Sequence, residues 1–375
     1  MRNIRHHSIC RWTFNAGKGG FTPGNIRPSW SGDQLKTEDI PGLVAKEIKP
    51  RLPEHIHLGF EVHYDYEIDM ENSERVADAM GEHDLPLAMI TPGAHVHWGY
   101  GGIASCDEAE QREAIKYGEV TVDLAYGIFR KVWHKDHVPT LVLWNGSWGY
   151  DLATVGVRTM YENLKRNLAG LAKYEASKGG ELYICIEPKP NEGHPAMMPP
   201  TTASAILLWD RIANQYGVDG SRLGVNKEIG HSEMIGLDAV YDTIEEIDAG
   251  TLFHTHLNSQ GYNDGLLMGG PGKFDIDFGT RVNAFNVTLA RLFLDAGYQR
   301  WFGHDMQPRA YDNEAQAIDR VVRSILSWEA CEQAAEKLDM DALNSALANR
   351  KTADAEDIMR SATTFAHQVF DDLRK

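Results

Sequence analysis

The chain is expected to fold as an α/β protein, a (β/α)8 TIM barrel with a C-terminal helical extension. Three observations carry that expectation. Short apolar runs alternate with longer amphipathic stretches over roughly 270 residues, the pattern of a parallel sheet with crossover helices. Polar residues able to do chemistry gather where the strands end, as they do at the C-terminal mouth of such a barrel. Past Ser327 the pattern gives way to a polar, helix-favouring tail.

In chain order, the β-branched and apolar runs predict strands at 57–63, 87–91, 140–144, 182–187, 223–226, 252–256 and 301–304. Helical periodicity fills the gaps at 108–131, 155–177, 202–216, 237–246, 282–296 and 313–327. The barrel domain is therefore read as 1–327 and the tail as 328–375. In the tail, Leu338, Met340, Leu343 and Leu347 recur at roughly helical spacing. Such a stripe needs a surface to bury it, and a neighbouring subunit is the expected one. The His6–His7 pair is read as a frayed terminus.

The bulk properties bound the function. Of 375 residues, 42% are hydrophobic and 24% charged, enough for a large core and unlike a disordered chain. A formal net charge of −17 repels a phosphate backbone, which argues against a nucleic-acid partner. No run approaches the roughly 18 apolar residues of a membrane span, and the polar N-terminus does not lead into an apolar targeting segment, so a cytoplasmic protein with no membrane partner is expected. Cys10, Cys106, Cys185 and Cys331 lie far apart and form no Cys-x-x-Cys pair, as free thiols would.

Chemistry concentrates in a few segments. Glu187 and Lys189, in Ile-Glu-Pro-Lys-Pro, stand two apart and so share one side of an extended segment, where the prolines stop regular pairing. Glu228 and His231 are spaced i, i+3, which sets carboxylate and imidazole together on a helical turn. His254 and His256 share one side of a strand, with one or both facing the barrel axis. Asp275 and Asp277 would repel each other without a cation between them. With Asp305 after the last strand, Glu187, Glu228, His231, His256, Asp275, Asp277 and Asp305 supply donors for two divalent ions that share one carboxylate.

From about Trp12 to Ser327 the chain resembles the xylose isomerase family. The likeness is carried, in order, by Leu-Trp-Asn-Gly at 143–146, Ile-Glu-Pro-Lys-Pro-Asn-Glu at 186–192 and Gly-Val-Asn-Lys-Glu-Ile-Gly-His-Ser-Glu-Met at 224–234. Phe-His-Thr-His-Leu-Asn at 253–258, Phe-Asp-Ile-Asp at 274–277 and Gly-His-Asp at 303–305 complete it, with a longer loop before Asp275. The resemblance implies an aldose–ketose isomerase acting on a small sugar with two divalent metal ions per chain. It implies a structural metal on Glu187, Glu228, His256 and Asp305 and a catalytic metal on Glu228, His231, Asp275 and Asp277. It further implies that Lys189 hydrogen-bonds the substrate carbonyl, that Trp144 walls the reacting carbons and that His63 moves the ring-opening proton. His95 and His97 are expected to line the sugar pocket or cap a strand, and Trp12 to stand in the pocket or in the core. A homo-oligomer, tetramer or dimer, is implied as well, with Phe21 reaching a neighbour's pocket.

Three departures qualify the likeness. His256 stands where the family has an aspartate; the related rhamnose isomerases carry a histidine in the comparable place. That nitrogen tilts the site from magnesium toward manganese, cobalt or zinc. Tyr66 aligns with the carboxylate partner of the ring-opening histidine, which leaves Asp65 beside it as the catalytic carboxylate. Gln307 stands where a lysine is usual. A sugar epimerase using one metal, another metal-dependent carbohydrate enzyme, or a non-catalytic binding barrel are the alternatives.

Overall fold

Short strands that are buried on both faces need cover on both sides, and here the sheet closes on itself with helices outside. The eight strands of the closed barrel are β1 Arg5–Cys10, β2 Ile56–Tyr64, β3 Leu87–Pro92, β4 Thr140–Trp144, β5 Tyr183–Glu187, β6 Leu223–Glu228, β7 Leu252–His256 and β8 Phe302–His304. Each pairs in parallel with its neighbours in sequence, and β8 returns to β1. This computed structural model describes residues 3–14, 29–65, 67–94, 97–260, 275–276, 278 and 282–375.

The outer layer comprises α1 Ser73–Glu82, α2 Glu108–Gly127, α3 Gly156–Lys178, α4 Thr202–Tyr216, α5 Ala239–Ala249, α6 Ala284–Asp295 and α7 Glu314–Glu336. Side-chain caps fix the starts of several: Asp107 accepts from the Ala109 and Glu110 amides, Asp238 from Val240 and Tyr241, and Asn313 from Gln316. α4 and α5 stop at Gly217 and Gly250, both in the left-handed region that glycine tolerates. No helix among the described residues is long and apolar enough to cross a membrane.

Two elements depart from the sequence reading. The N-terminal segment is no frayed end: Arg-His-His-Ser-Ile-Cys forms β1, buried throughout between β2 and β8. Its polar residues have polar partners on both faces: Ser8 meets Glu61 inside the barrel, and His7 Nδ1 lies 2.9 Å from His304 Nε2 on the side that faces α7, where His304 also meets Ser324. The second is the boundary expected at Ser327, which lies inside α7. Trp328 is fully buried and packs on Phe278, Phe293 and Phe302, while Arg5 of β1 holds Glu332 at 2.6 Å.

Beyond α7 come α8 Met340–Ala348 and α9 Thr352–Leu373. α9 packs on α7 and α6 of its own chain and buries Ala355, Ala366 and Phe370. Of the stripe expected to meet a neighbour, Leu338 is buried, Met340 and Leu343 are half-buried and Leu347 is exposed.

Trp328→Ala should therefore cost about 3–5 kcal/mol, the range for deleting a large buried aromatic. Urea denaturation measures it; a stability within experimental error of the parent would show that the chain past Ser327 is an appendage.

Candidate active site

Strand ends build the site. β5 ends at Glu187, β6 at Glu228 and β7 at His256, and Asp305 follows β8. The parallel register sets Glu228 opposite His256 and His256 opposite Gly303. One donor atom from each of Glu187, Glu228, His256 and Asp305 lies within 4.8 Å of the others. His256 Nδ1 faces all three acids, at 3.2 Å from Glu187 Oε2, 3.2 Å from Glu228 Oε2 and 3.6 Å from Asp305 Oδ2. Asn226 donates its amide to Glu187 Oε2 at 2.6 Å and Asn258 donates to Glu228 Oε1 at 2.6 Å, so two of the carboxylates are held in fixed orientations.

Beneath this cluster sits Glu61 of β2, fully buried. It accepts from Ser8 Oγ at 2.5 Å and Cys10 Sγ at 3.4 Å, and it meets His254 Nε2 at 3.1 Å and His256 Nε2 at 3.0 Å. Burial alone would raise its carboxyl, but the two histidines hold it well below the usual range. Burial likewise opposes a charge on His256, yet Glu61, Glu187 and Glu228 outweigh it and raise the imidazole well above its ordinary value. Close approach demands glycine at 303, where a Cβ would stand 2.5 Å from Glu61 Oε1 and 2.6 Å from His256 Cδ2.

The donors suit a divalent cation. With Nε2–H given to Glu61, His256 turns Nδ1 toward three carboxylates, an arrangement stabilised by positive charge at that nitrogen, whether a proton or a divalent cation in its place. His231, brought beside Glu228 by the short helix Ile229–Met234, shows the same need. Its Nδ1 lies 3.0 Å from the Pro188 carbonyl and is placed to donate to it. Nε2 comes 2.8 Å from Glu228 Oε1, so imidazole and carboxylate share one small buried volume, a pair of donor types that also suits a cation.

Around the cluster stand aromatic and basic groups. Trp12 donates Nε1–H to Asp305 Oδ1 at 2.7 Å, and its ring lies 4.1 Å from that of His63. Glu67 takes His63: its Oε2 stands 3.2 Å from Nδ1 and accepts the His63 backbone amide at 2.9 Å. Lys189 is buried and ion-paired with Glu192, its ammonium 5.7 Å from the centre of the Trp144 ring. Trp144 folds over Gly146, where any Cβ would collide with the indole.

Residues 55–328 match the family described as xylose isomerase-like TIM barrel. The chain belongs to that family. Its fold is similar to that of an L-ribulose 3-epimerase, 13% identical over 90% of this chain and 98% of that one, TM-score 0.58. A xylose isomerase domain protein from Alicyclobacillus acidocaldarius is 13% identical over 89% of this chain and 100% of its own, TM-score 0.58. A 3-keto-D-glucoside 4-epimerase from E. coli is 12% identical over 86% of this chain and 99% of that one, TM-score 0.53.

In this xylose isomerase-like barrel the structure gathers Glu187, Glu228, His231, His256 and Asp305 at one mouth, with Trp12 and His63 against them. Asp65, expected to serve His63, instead takes His97 Nε2 at 2.7 Å and the Tyr117 hydroxyl at 2.9 Å. The reason is geometric: Glu67 lies one turn on from His63 and already occupies its Nδ1. Asp275 is known by its backbone alone, which pairs with Gln260 just past β7. Phe21, Tyr66, His95 and Asp277 lie outside the described residues. Sequence reasoning passed over Glu61 and Glu67. The signal for Glu61 was available, a lone acid in the apolar run Leu-Gly-Phe-Glu-Val, two positions before His63.

Removing the buried acid should be costly. Glu61→Ala leaves two imidazoles and a hydroxyl without their anion, and a loss of about 3–5 kcal/mol is expected in urea denaturation of chelated protein. A loss below about 1 kcal/mol, the worth of a single neutral hydrogen bond, would contradict its organising role.

Proposed function

We propose that this barrel is a divalent-metal aldose–ketose isomerase that moves hydrogen between carbons 1 and 2 of an open-chain sugar. The observation that supports it most is the set Glu187, Glu228, His256 and Asp305 converging at the C-terminal mouth, where barrels of this kind carry their chemistry. These four would hold one cation, and Glu228, His231, Asp275 and Asp277 a second, with Glu228 shared. Such ions, when bound, supply Lewis acidity toward the oxygens of the substrate. One imidazole among the donors favours manganese, cobalt or zinc over magnesium.

The chain's own groups do the rest. His63, its Nδ1 held by Glu67, can take or give a proton at Nε2 and so open the sugar ring. Lys189 can donate an N–H to the carbonyl oxygen as charge develops there. Trp144 and Trp12 present apolar faces that keep water from the reacting carbons, which favours hydrogen transfer without exchange into solvent. Glu61 keeps Nδ1 of His256 turned toward the mouth.

An epimerase is the second reading. It draws support from the described donors, which complete one cation set, and from the epimerases among the similar folds. One metal per chain and exchange of the substrate hydrogen with solvent would favour it; two metals with retention would favour the isomerase.

The test is turnover of a panel of aldoses and ketoses by chelated protein restored with each metal in turn. Activity should return more fully with manganese, cobalt or zinc than with magnesium, and fall by roughly 10²–10³ or more in Glu228→Gln. Two bound metals with no turnover would defeat the reading.

The His63–Glu67 pair is tested separately. Glu67→Gln should lower turnover of a cyclic aldose by roughly 10²-fold, the lower range for acid–base assistance, while sparing an aldotriose, which has no ring to open. Equal losses on both substrates would place Glu67 outside ring opening.

A further inference from the structure

Four histidines meet at the N-terminal end of the barrel, the end opposite the carboxylate cluster. His6 and His57 are register partners on β1 and β2, while His134 and His137 belong to the loop that leads into β4. Ring centres of His57, His134 and His137 lie 5.7, 4.9 and 4.2 Å from that of His6. His134 and His137 are 4.9 Å apart, and the Trp301 ring closes the cluster at 5.1 Å from His6. His57 and His134 also line an open cleft, which gives the cluster access to solvent.

His6 is 7% exposed, and its Nδ1 has no hydrogen-bond partner among the described residues. A buried polar atom so left costs about 1–3 kcal/mol and asks for a ligand. Burial, helped by His137, His134 and His57, lowers the His6 pKa to about 3. Burial, with His134 and Arg300, lowers that of His137 to about 4, and burial lowers that of His134 too. These imidazoles are therefore neutral near pH 7, the form that binds metals, and His134 Nδ1 accepts the Asp136 backbone amide at 3.2 Å.

We infer that His6, His57, His134 and His137 form a second kind of metal site, an all-imidazole clip for a borderline transition-metal ion such as zinc. Metal–nitrogen bonds of about 2.0–2.1 Å on a tetrahedral ion hold imidazole centres about 5 Å apart, close to the spacing already present. The half-buried rings of His134 and His137, now stacked on each other, would have to turn to bring their nitrogens inward, His134 giving up the Asp136 amide. The ion would tie the loop before β4 to β1 and β2. Asp136 in that loop adds negative charge, and the nearby Arg300 guanidinium is engaged by the Phe253 and Val138 carbonyls. With imidazoles as its only protein donors, the clip discriminates against magnesium and manganese, unlike the acid-rich mouth.

Cobalt titration of the chelated full-length protein tests this, because tetrahedral cobalt on imidazoles absorbs visible light strongly and six-coordinate cobalt on carboxylates only weakly. A strong band should saturate at one cobalt per chain in the parent and in Glu228→Gln, resist excess magnesium and yield to zinc. It should vanish in the His134→Ala/His137→Ala double variant, whose circular dichroism should match the parent. No strong band in the parent, or a band that survives the double substitution, overturns the proposal. Should the double variant not fold, the exposed His57→Gln is read instead: cobalt affinity lowered tenfold or more supports the clip, and unchanged affinity overturns it.

Discussion

A carboxylate sealed inside the barrel sets the order of what surrounds it. Taking a carboxylate out of water costs several kcal/mol even after the protein relaxes, so Glu61 is tolerable only with its partners in place. Those partners are Ser8 and Cys10 from β1 and His254 and His256 from β7, while Gly303 of β8 leaves the room the group occupies. One anion thereby fixes the register of four neighbouring strands, β2, β1, β8 and β7. A shift of one residue in any of them would turn the partner away and leave the charge bare.

The same contact shapes the site above. An imidazole has two nitrogens, and committing Nε2 of His256 to Glu61 leaves Nδ1 for the mouth. Glu187, Glu228 and Asp305 then surround that nitrogen, with Asn226 and Asn258 fixing two of them. Anion, imidazole and anions follow one another from the barrel centre outward. Three acids around one ring leave negative charge in excess, which suits a divalent cation better than it suits a proton on Nδ1.

Much of this was legible in the sequence where local pattern and chemistry coincide. The strands from 57 onward announce themselves because both faces are buried and the runs are apolar, and their ends carry Glu187, Glu228, His256 and Asp305 in plain view. β1 did not, because its inward face is His, Ser and Cys, which read as a polar terminus until their partners across the barrel are known. Glu61 and Glu67 were missed for related reasons. The histidines that bind Glu61 lie nearly 200 residues away, and the tie from Glu67 to His63 depends on the turn after β2. The α7 boundary misleads in the other direction: Trp328 and Cys331 continue the buried stripe of a helix whose later residues look like a polar tail.

Histidine shows how far environment decides chemistry in this barrel. At the C-terminal mouth, acids on every side favour positive charge on His256, so any ion that takes the place of that charge is held chiefly by carboxylate oxygen. At the opposite end, histidines crowd one another, burial keeps them neutral, and a bound ion meets nitrogen alone. Hard cations therefore belong at the mouth and gain nothing at the other end, whereas borderline ions find donors at both. A preparation loaded with magnesium or manganese and one loaded with cobalt or zinc would then differ in the number of ions bound as well as in their identity, and the added ion would act on the loop before β4, far from the reacting carbons.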